Sequence, residues 1–231
     1  MTGFNVTVAG DGGIFFDLDG TLVDTAPDMV AVLAALQKDN GSAPLPYEVA
    51  RASVSHGAFG LIDLAFPGVG DEERSRLHRE YLERYEQAVC IGSTLFPGLT
   101  ELLDRLDRHG TPWGVVTNKP QRMTEPLLEK LGLRERMSCA ISGDTLPQRK
   151  PHPAPLLLAC EQAGVEPTQS IYAGDDARDI IAGRAAGMTT IAATYGYIVA
   201  DDDPVLWQAD HVATNPRELA KLILKAVSLD T

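Results

Sequence analysis

Cysteine is too scarce in this chain to organise it. Cys90, Cys139 and Cys160 are three among 231 residues, widely spaced and without a Cys-x-x-Cys pair. That pattern argues against a disulfide scaffold or a thiolate zinc site and predicts reduced, partly buried thiols. Long apolar runs are missing as well. No stretch reaches the roughly 18 consecutive apolar residues of a membrane helix, so no membrane partner is expected. Positive charge is in deficit: 20 Lys plus Arg stand against 32 Asp plus Glu, a formal net charge of -12. Nucleic acid and anionic lipid both demand clustered cations, and here they are scattered, so no nucleic-acid partner is expected. A small anionic substrate would need a local site that overcomes the field of the whole chain. Met1 to Gly12 has neither a basic segment nor a long apolar core, so a secretory signal is not indicated and a cytoplasmic location is expected. Repeats and low-complexity tracts are absent, and the short run Asp201-Asp202-Asp203 reads as a solvated loop.

What is present is an ordinary globular composition, 44% hydrophobic and 23% charged, in a length that suits one large domain or one domain with an insertion. A chain of this size buries roughly 70% of the surface its unfolded form exposes. Gly13-Ile14-Phe15-Phe16-Asp17 is a continuous apolar run ending in acid, the pattern of a strand buried on both faces. Similar runs span Pro112 to Thr117, Ser138 to Ser142, Ser170 to Gly174 and Thr189 to Ala193. Between them Leu99, Leu102, Leu103 and Leu106 recur at helical spacing, as do Leu156, Leu157 and Cys160, while Ile180 and Ile181 precede a stop at Gly187. Around Pro126 the boundary stays open, because a proline inside a helix is costly unless Thr124 caps a helix beginning there.

This alternation predicts an α/β fold, a parallel sheet with helices on both faces, which binds ligands beyond the carboxyl ends of its strands. About 70 residues, Asp24 to roughly Thr94, hold no strand run and far exceed ordinary loop lengths. They are expected to form an inserted helical cap. Thr25 and Asp28 resemble a capping box for a helix through Val30, Leu33 and Leu36. Asp71, Glu72 and Glu73 suit the positive end of another that continues through Leu77, Tyr81, Leu82 and Tyr85. The expected division is a core of residues 1–23 and 95–231 and a cap of residues 24–94.

Four motifs carry chemistry. In Asp17-Leu18-Asp19-Gly20-Thr21, two carboxylates follow directly on a buried strand, and Gly20 lets the backbone turn sharply enough to aim both at one point. A turn whose side chains bond the backbone is the bland alternative. A calcium loop fails, since Leu22 and Val23 offer no ligand oxygens. Thr117-Asn118-Lys119-Pro120 puts hydroxyl, amide and backbone donors at a strand end before a helix, an anion site or simply a helix cap. Arg149-Lys150-Pro151-His152-Pro153 holds Lys150 in an extended loop, where its ammonium would neutralise a phosphoryl group; a surface lysine is the commoner case. Gly174-Asp175-Asp176-Ala177-Arg178-Asp179 crowds three acids at one helix start. Asp175 and Asp179, four apart on one face, repel unless a cation lies between them. Oxygen-only ligands suit Mg²⁺.

With these motifs in this order, the sequence resembles the haloacid dehalogenase superfamily over essentially its whole length. Within it the chain is similar to the branch with a helical cap after the first motif, and most similar to phosphoglycolate phosphatases. Val115 to Pro120, Gly174-Asp175-Asp176 and Tyr195-Gly196-Tyr197-Ile198 are also similar to N-acetylmuramic acid 6-phosphate phosphatases. The resemblance implies a Rossmann-like core and a phosphomonoesterase of small phosphorylated metabolites. Asp17 would be the nucleophile that forms an aspartyl-phosphate, and Asp19 the general acid and base. Thr117 and Asn118 would hold phosphate oxygens, with Lys150 offsetting charge. Mg²⁺ would take Asp17, the backbone carbonyl of Asp19 and Asp175, with Asp176 and Asp179 acting through water or orientation. Asp19 favours phosphate esters over halides, because a dehalogenase has no leaving alkoxide to protonate; a phosphomutase and a non-catalytic phosphate-binding module are the alternatives. Arg51, Ser55, His56 and Gly57 of the cap are candidate substrate contacts, although His56 alternatively caps a helix. A monomer or homodimer is expected.

Overall fold

Short apolar runs build the centre of the molecule because each is buried on both sides. The computed structural model describes residues 11–228; most of the segment read for a secretory signal lies outside them. In chain order come β1 (Ile14–Phe16), β2 (Val23–Asp24), α1 (Ala26–Asp39), α2 (Tyr47–Ala52), α3 (Gly57–Ala65), α4 (Asp71–Ala88) and β3 (Thr94–Leu95). They are followed by α5 (Leu99–His109), β4 (Trp113–Val116), α6 (Gln121–Lys130), β5 (Cys139–Ile141), α7 (Ala154–Ala163), β6 (Ile171–Gly174), α8 (Ala177–Ala185), β7 (Thr189–Ala193), β8 (His211–Ala213) and α9 (Pro216–Ala226).

Six strands form one sheet in the order β5-β4-β1-β6-β7-β8, and every neighbouring pair runs parallel. Successive strand side chains point to opposite faces. Ile14 and Phe16 accordingly join the apolar layer that holds Leu99, Leu102, Leu127 and Leu219, while Phe15 joins Leu156, Ala159 and Tyr172. Helices cover both faces, as alternating β and α segments require. The α5 leucines 99, 102, 103 and 106 are at most 1% exposed, and each such burial contributes about 1.5 to 3 kcal/mol.

The strand order turns at β1, which lies between β4 and β6. Phe16 is in register with Val115 on one side and Ala173 on the other. The residues just beyond these three strands are therefore neighbours, at the crevice where such sheets bind ligands.

Several local expectations change. Thr25 is the N-cap of α1 but makes no side-chain cap bond; its hydroxyl donates instead to Asp19 Oδ1 at 2.6 Å. Asp28 does not close a capping box either, because its carboxylate accepts from Ile91, Gly92 and Ser93. Pro126 sits inside α6. The helix starts earlier than Thr124, and buried Leu127 and Leu128 hold it against the bond that proline removes. Leu157 of α7 is 43% exposed, whereas Leu156 and Cys160 are buried. All three cysteines are free. Asp203 of the acidic run caps a short 3-10 turn through the Val205 N–H, and Asp202 accepts from the Trp207 indole.

Unforeseen elements are β8, α9 and the antiparallel ribbon that pairs Val23 with Leu95 and Asp24 with Thr94. Between the arms of that ribbon, α1, α3 and α4 pack through Leu33, Leu61, Leu77 and Tyr81, all at most 1% exposed.

Candidate active site

The backbone aims the first carboxylates. The Asp17 N–H donates to Ala173 O at 2.8 Å, extending the β1–β6 ladder by one residue. The chain then reverses at Gly20, whose φ is +82° and whose N–H donates to Val23 O. A Cβ at Gly20 would lie 2.1 Å from Asp175 Oδ2, and one at Gly196 would lie 2.3 Å from Asp175 Cβ. Glycine at both positions lets two loops close on Asp175.

Asp17, Asp175 and Asp179 gather there, each offering a carboxylate oxygen within 4.8 Å of the others. Lys150 reaches into the group. Its Nζ is 2.8 Å from Asp17 Oδ1, 2.7 Å from Asp179 Oδ1 and 2.9 Å from the Tyr172 hydroxyl. One ammonium thus meets two of the three carboxylates, half-buried Asp17 and buried Asp179. Burial, with Asp179 and Asp19 adding to it against the pull of Lys150, pushes the Asp17 carboxyl up to about 7. Burial also drives Asp175 well above the usual carboxylate range, and Asp17 and Asp179 reinforce the shift. For Lys150, burial works against the ammonium, but Asp17 and Asp179 outweigh it and raise its pKa. Asp17 Oδ1 receives no aligned hydrogen bond from the described residues. Three converging hard oxygens with a single ammonium among them fit a divalent cation.

Asp176 does not join them. It is the N-cap of α8 in a capping box, accepting from the Arg178 N–H while Asp179 accepts from the Asp176 N–H. Its carboxylate also pairs with the Arg178 guanidinium at 2.7 Å. Burial opposes ionisation, yet Arg178 holds Asp176 below the usual range. Its carboxylate starts the helix and holds Arg178. The Asp19 carboxylate also stands apart from the cluster, with Oδ1 bonded to Thr25 and to Lys119 Nζ at 2.9 Å.

Thr117 is buried behind β4, and its Oγ1 accepts from the Lys119 N–H. The Asn118 carboxamide, a candidate phosphate contact in the cavity wall, clamps the Lys150 backbone. Its Oδ1 accepts the Lys150 N–H at 3.1 Å and its Nδ2 donates to Lys150 O at 3.0 Å. This clamp sets the root of the Lys150 side chain.

The inserted helices roof a cavity of about 480 Å³ whose walls include Asp17, Asp19, Thr117, Asn118 and Lys150 below and His56, Gly57, Phe59, His78, Tyr81 and Tyr85 above. Ser55 donates to Asp175 Oδ2 at 2.8 Å. Arg51 lies outside the walls: it donates to Gly196 O at 3.3 Å and stacks 4.9 Å above the Tyr197 ring. Phe59 and His78 stack with centroids 3.5 Å apart. Burial, with Arg74 nearby, lowers the His78 pKa.

Sequence reasoning passed over Lys119, Tyr85, Tyr172 and Arg178. Lys119 stood inside a quoted motif, and Arg178 stands two residues from its partner. Tyr85 and Tyr172 gave no signal beyond their apolar pattern.

The chain has recognisable relatives. The haloacid dehalogenase-like hydrolase family model matches residues 14–193. Over 206 residues the chain is 44% identical to a phosphoglycolate phosphatase of Xanthomonas campestris pv. campestris (strain 8004), covering 89% of this chain and 93% of that protein. Over 215 residues it is 41% identical to an N-acetylmuramic acid 6-phosphate phosphatase of Pseudomonas aeruginosa PAO1, covering 93% and 95%. A crystal structure described as a predicted phosphoglycolate phosphatase from Haemophilus somnus 129PT matches with a TM-score of 0.80 at 29% identity, over 91% of this chain and 97% of that one. Motifs in this order, gathered by this sheet and shared with these relatives, make the chain a member of the haloacid dehalogenase-like hydrolases.

Proposed function

We propose that this chain is a Mg²⁺-dependent phosphomonoesterase working through an aspartyl-phosphate. The observation that carries it is the buried group of Asp17, Asp175 and Asp179 around Lys150, at the ends of adjacent strands. In the first step an Asp17 oxygen attacks phosphorus in line, the bond to the leaving oxygen breaks, and Asp19 gives that oxygen its proton. In the second, Asp19 takes a proton from water as the water oxygen attacks phosphorus, releasing orthophosphate and restoring Asp17. Lys150 offsets the charge that accumulates between carboxylate and phosphate. Thr117 and the backbone donors beside it hold phosphate oxygens. Asp17 and Asp175, with the Asp19 carbonyl, would hold Mg²⁺, and Asp179 would orient that shell. When bound, the ion supplies positive charge that draws phosphate and nucleophile together. Residues 24–94 would be the cap, hinged at the β2–β3 ribbon, over a core of residues 1–23 and 95–231. No helix among the described residues is long and apolar enough to cross a membrane. A cytoplasmic enzyme acting on a free metabolite, as a monomer or homodimer, completes the reading.

The relative in Xanthomonas campestris makes phosphoglycolate the first substrate to test. A second reading, N-acetylmuramic acid 6-phosphate, is favoured by the cavity. Its volume of about 480 Å³ and the wall of Phe59, His78, Tyr81 and Tyr85 suit a ring better than a two-carbon acid. Arg51, a candidate substrate contact, is engaged with Gly196 and Tyr197. The test compares kcat/KM for phosphoglycolate, N-acetylmuramic acid 6-phosphate and hexose phosphates, with Mg²⁺ and with EDTA. Hydrolysis that needs Mg²⁺ and favours one ester is expected; none with any ester, or equal rates in EDTA, would overturn the proposal.

Metal should also stabilise the fold. Burial pushes the Asp17 carboxyl from an ordinary 3.8 up to about 7. The folded, metal-free state therefore binds extra protons between those values, and stability falls as pH rises through that window. At 1.36 kcal/mol per unit the cost is on the order of 4 kcal/mol above pH 7. Mg²⁺ competes with those protons. Its effect on the thermal midpoint is expected to be large at pH 8 and to shrink by pH 5.5, as measured by calorimetry on metal-stripped protein; a pH-independent shift would contradict a site on Asp17.

A further inference from the structure

Lys119 joins the core to the inserted helices. It leaves β4 in the loop before α6, is 7% exposed, and places Nζ 2.9 Å from Asp19 Oδ1 and 2.9 Å from the Tyr85 hydroxyl of α4. Its backbone is fixed as firmly as its tip. The N–H donates to Thr117 Oγ1 at 3.1 Å, and the carbonyl accepts from the Gly143 N–H at 2.8 Å and the Thr124 hydroxyl at 3.2 Å. Thr25 Oγ1 donates to the same Asp19 oxygen at 2.6 Å. Two donors on one oxygen leave a carboxylate little freedom to rotate, because any turn about Cβ–Cγ breaks both bonds. One of them is an ammonium, and a charge-assisted bond is about twice as strong as a neutral one.

The two lysines lining the cavity therefore divide the acids between them. Lys150 meets Asp17 and Asp179, whereas Lys119 meets Asp19. Building on the assignment of Asp19 as acid and base, we propose that Lys119 is a positioning residue. With Thr25 it pins Asp19 through Oδ1, so that Oδ2 is the oxygen that exchanges the proton with the leaving group. Tyr85 makes this setting depend on the seating of α4 over the cavity. The Tyr85 hydroxyl lies 34 positions away in sequence and on the far side of the insert boundary. If α4 lifts, Lys119 loses one of its two side-chain partners. Acid–base competence and coverage of the leaving group are thereby joined through one ammonium.

The experiment reads leaving-group dependence of kcat/KM, which reports the steps through phosphoryl transfer to Asp17. A nitrophenolate leaves without a proton, whereas an alkoxide needs one. Wild type, Lys119→Met, Tyr85→Phe and Asp19→Asn are compared on 4-nitrophenyl phosphate and on glycerol 3-phosphate. Lys119→Met is expected to lose roughly a hundredfold on the alkyl ester, within the range for a positioned acid, and less than about tenfold on the nitrophenyl ester. Tyr85→Phe removes a single hydroxyl. It should show the same selectivity at smaller size, in kcat rather than KM. Equal losses on both esters, or a raised KM with kcat unchanged, would mean that Lys119 supports the fold or binds phosphate directly, and the inference would be lost. Should Lys119→Met not fold, an unaltered ester ratio in Tyr85→Phe overturns it equally. Asp19→Asn separates the two levels. If that variant discriminates between the esters and Lys119→Met does not, only the inference fails; if it does not discriminate, the assignment of Asp19 fails and the inference with it.

Discussion

Asparagine at position 17 lowers turnover by roughly four orders of magnitude or more, the scale seen when a nucleophile is removed, while the protein stays folded. The amide keeps the shape of the carboxylate but cannot form the acyl-phosphate bond. Stability moves the other way from activity. Asp17 is pushed up to about 7 because burial, Asp179 and Asp19 disfavour its charge more than Lys150 favours it. A neutral side chain there relieves that cost above pH 7 in metal-free protein, and Asp179 still holds the Lys150 ammonium at 2.7 Å. Asp17→Asn should therefore unfold in EDTA at pH 8 at a temperature no lower than wild type, and should lose much of the Mg²⁺-induced rise. Steady-state hydrolysis of an alkyl phosphate and calorimetry check the two halves. Near-normal hydrolysis would refute Asp17 as nucleophile, and a collapsed fold would refute the electrostatic account of its pKa.

How far the sequence foretold this site depends on which interactions are local. Parallel strands buried on both faces read as continuous apolar runs, so β1, β4, β5, β6 and β7 are legible. His211-Val212-Ala213 is not, because an edge strand with Val212 43% exposed carries little apolar signal. For α9 the cue was present and went unread: Asn215 caps the helix and Pro216 opens it, ahead of buried Leu219 and Ile223. Asp17, Asp175, Asp179 and Lys150 do converge, since they follow strands or loops that the topology makes adjacent. Asp176 is the acid whose part no local pattern decides. Acids three apart at a helix start serve equally as a capping box or as ligands, and only the placement of Arg178 decides. Asn118 bonding to Lys150, Arg51 to Gly196 and Lys119 to Tyr85 all cross distances in sequence that no local pattern encodes. The apolar period of α4 marks Tyr85 as core, and its ring is indeed buried. Its hydroxyl carries the information, and periodicity is blind to hydroxyls.

Methionine at position 150 should do more damage than its similar length suggests. Lys150 is 4% exposed, and its ammonium lies within 2.9 Å of Asp17, Asp179 and Tyr172. Methionine fills the channel but leaves Asp17 and Asp179 without their counter-charge. Breaking a buried pair by removing one partner costs about 3 to 5 kcal/mol. The sign with pH follows from the acids. Burial and mutual repulsion already raise Asp17 and Asp175, and loss of the cation raises Asp17 further. The penalty is present above the folded pKa and disappears as protons replace the missing charge at lower pH. Urea unfolding in EDTA should thus show the full loss at pH 8 and a much smaller one near pH 5, and Mg²⁺ at pH 8 should recover part of it by occupying the same carboxylates. Activity falls by two to three orders of magnitude even in saturating Mg²⁺, because a fixed charge beside the transferring phosphoryl group acts on the transition state, where such donors are worth roughly 10²- to 10³-fold. If Lys150→Met unfolded at the wild-type urea concentration at pH 8 without metal, Asp17 and Asp179 would not be sharing a single ammonium, and the case for a divalent ion among the three acids would lose its electrostatic ground.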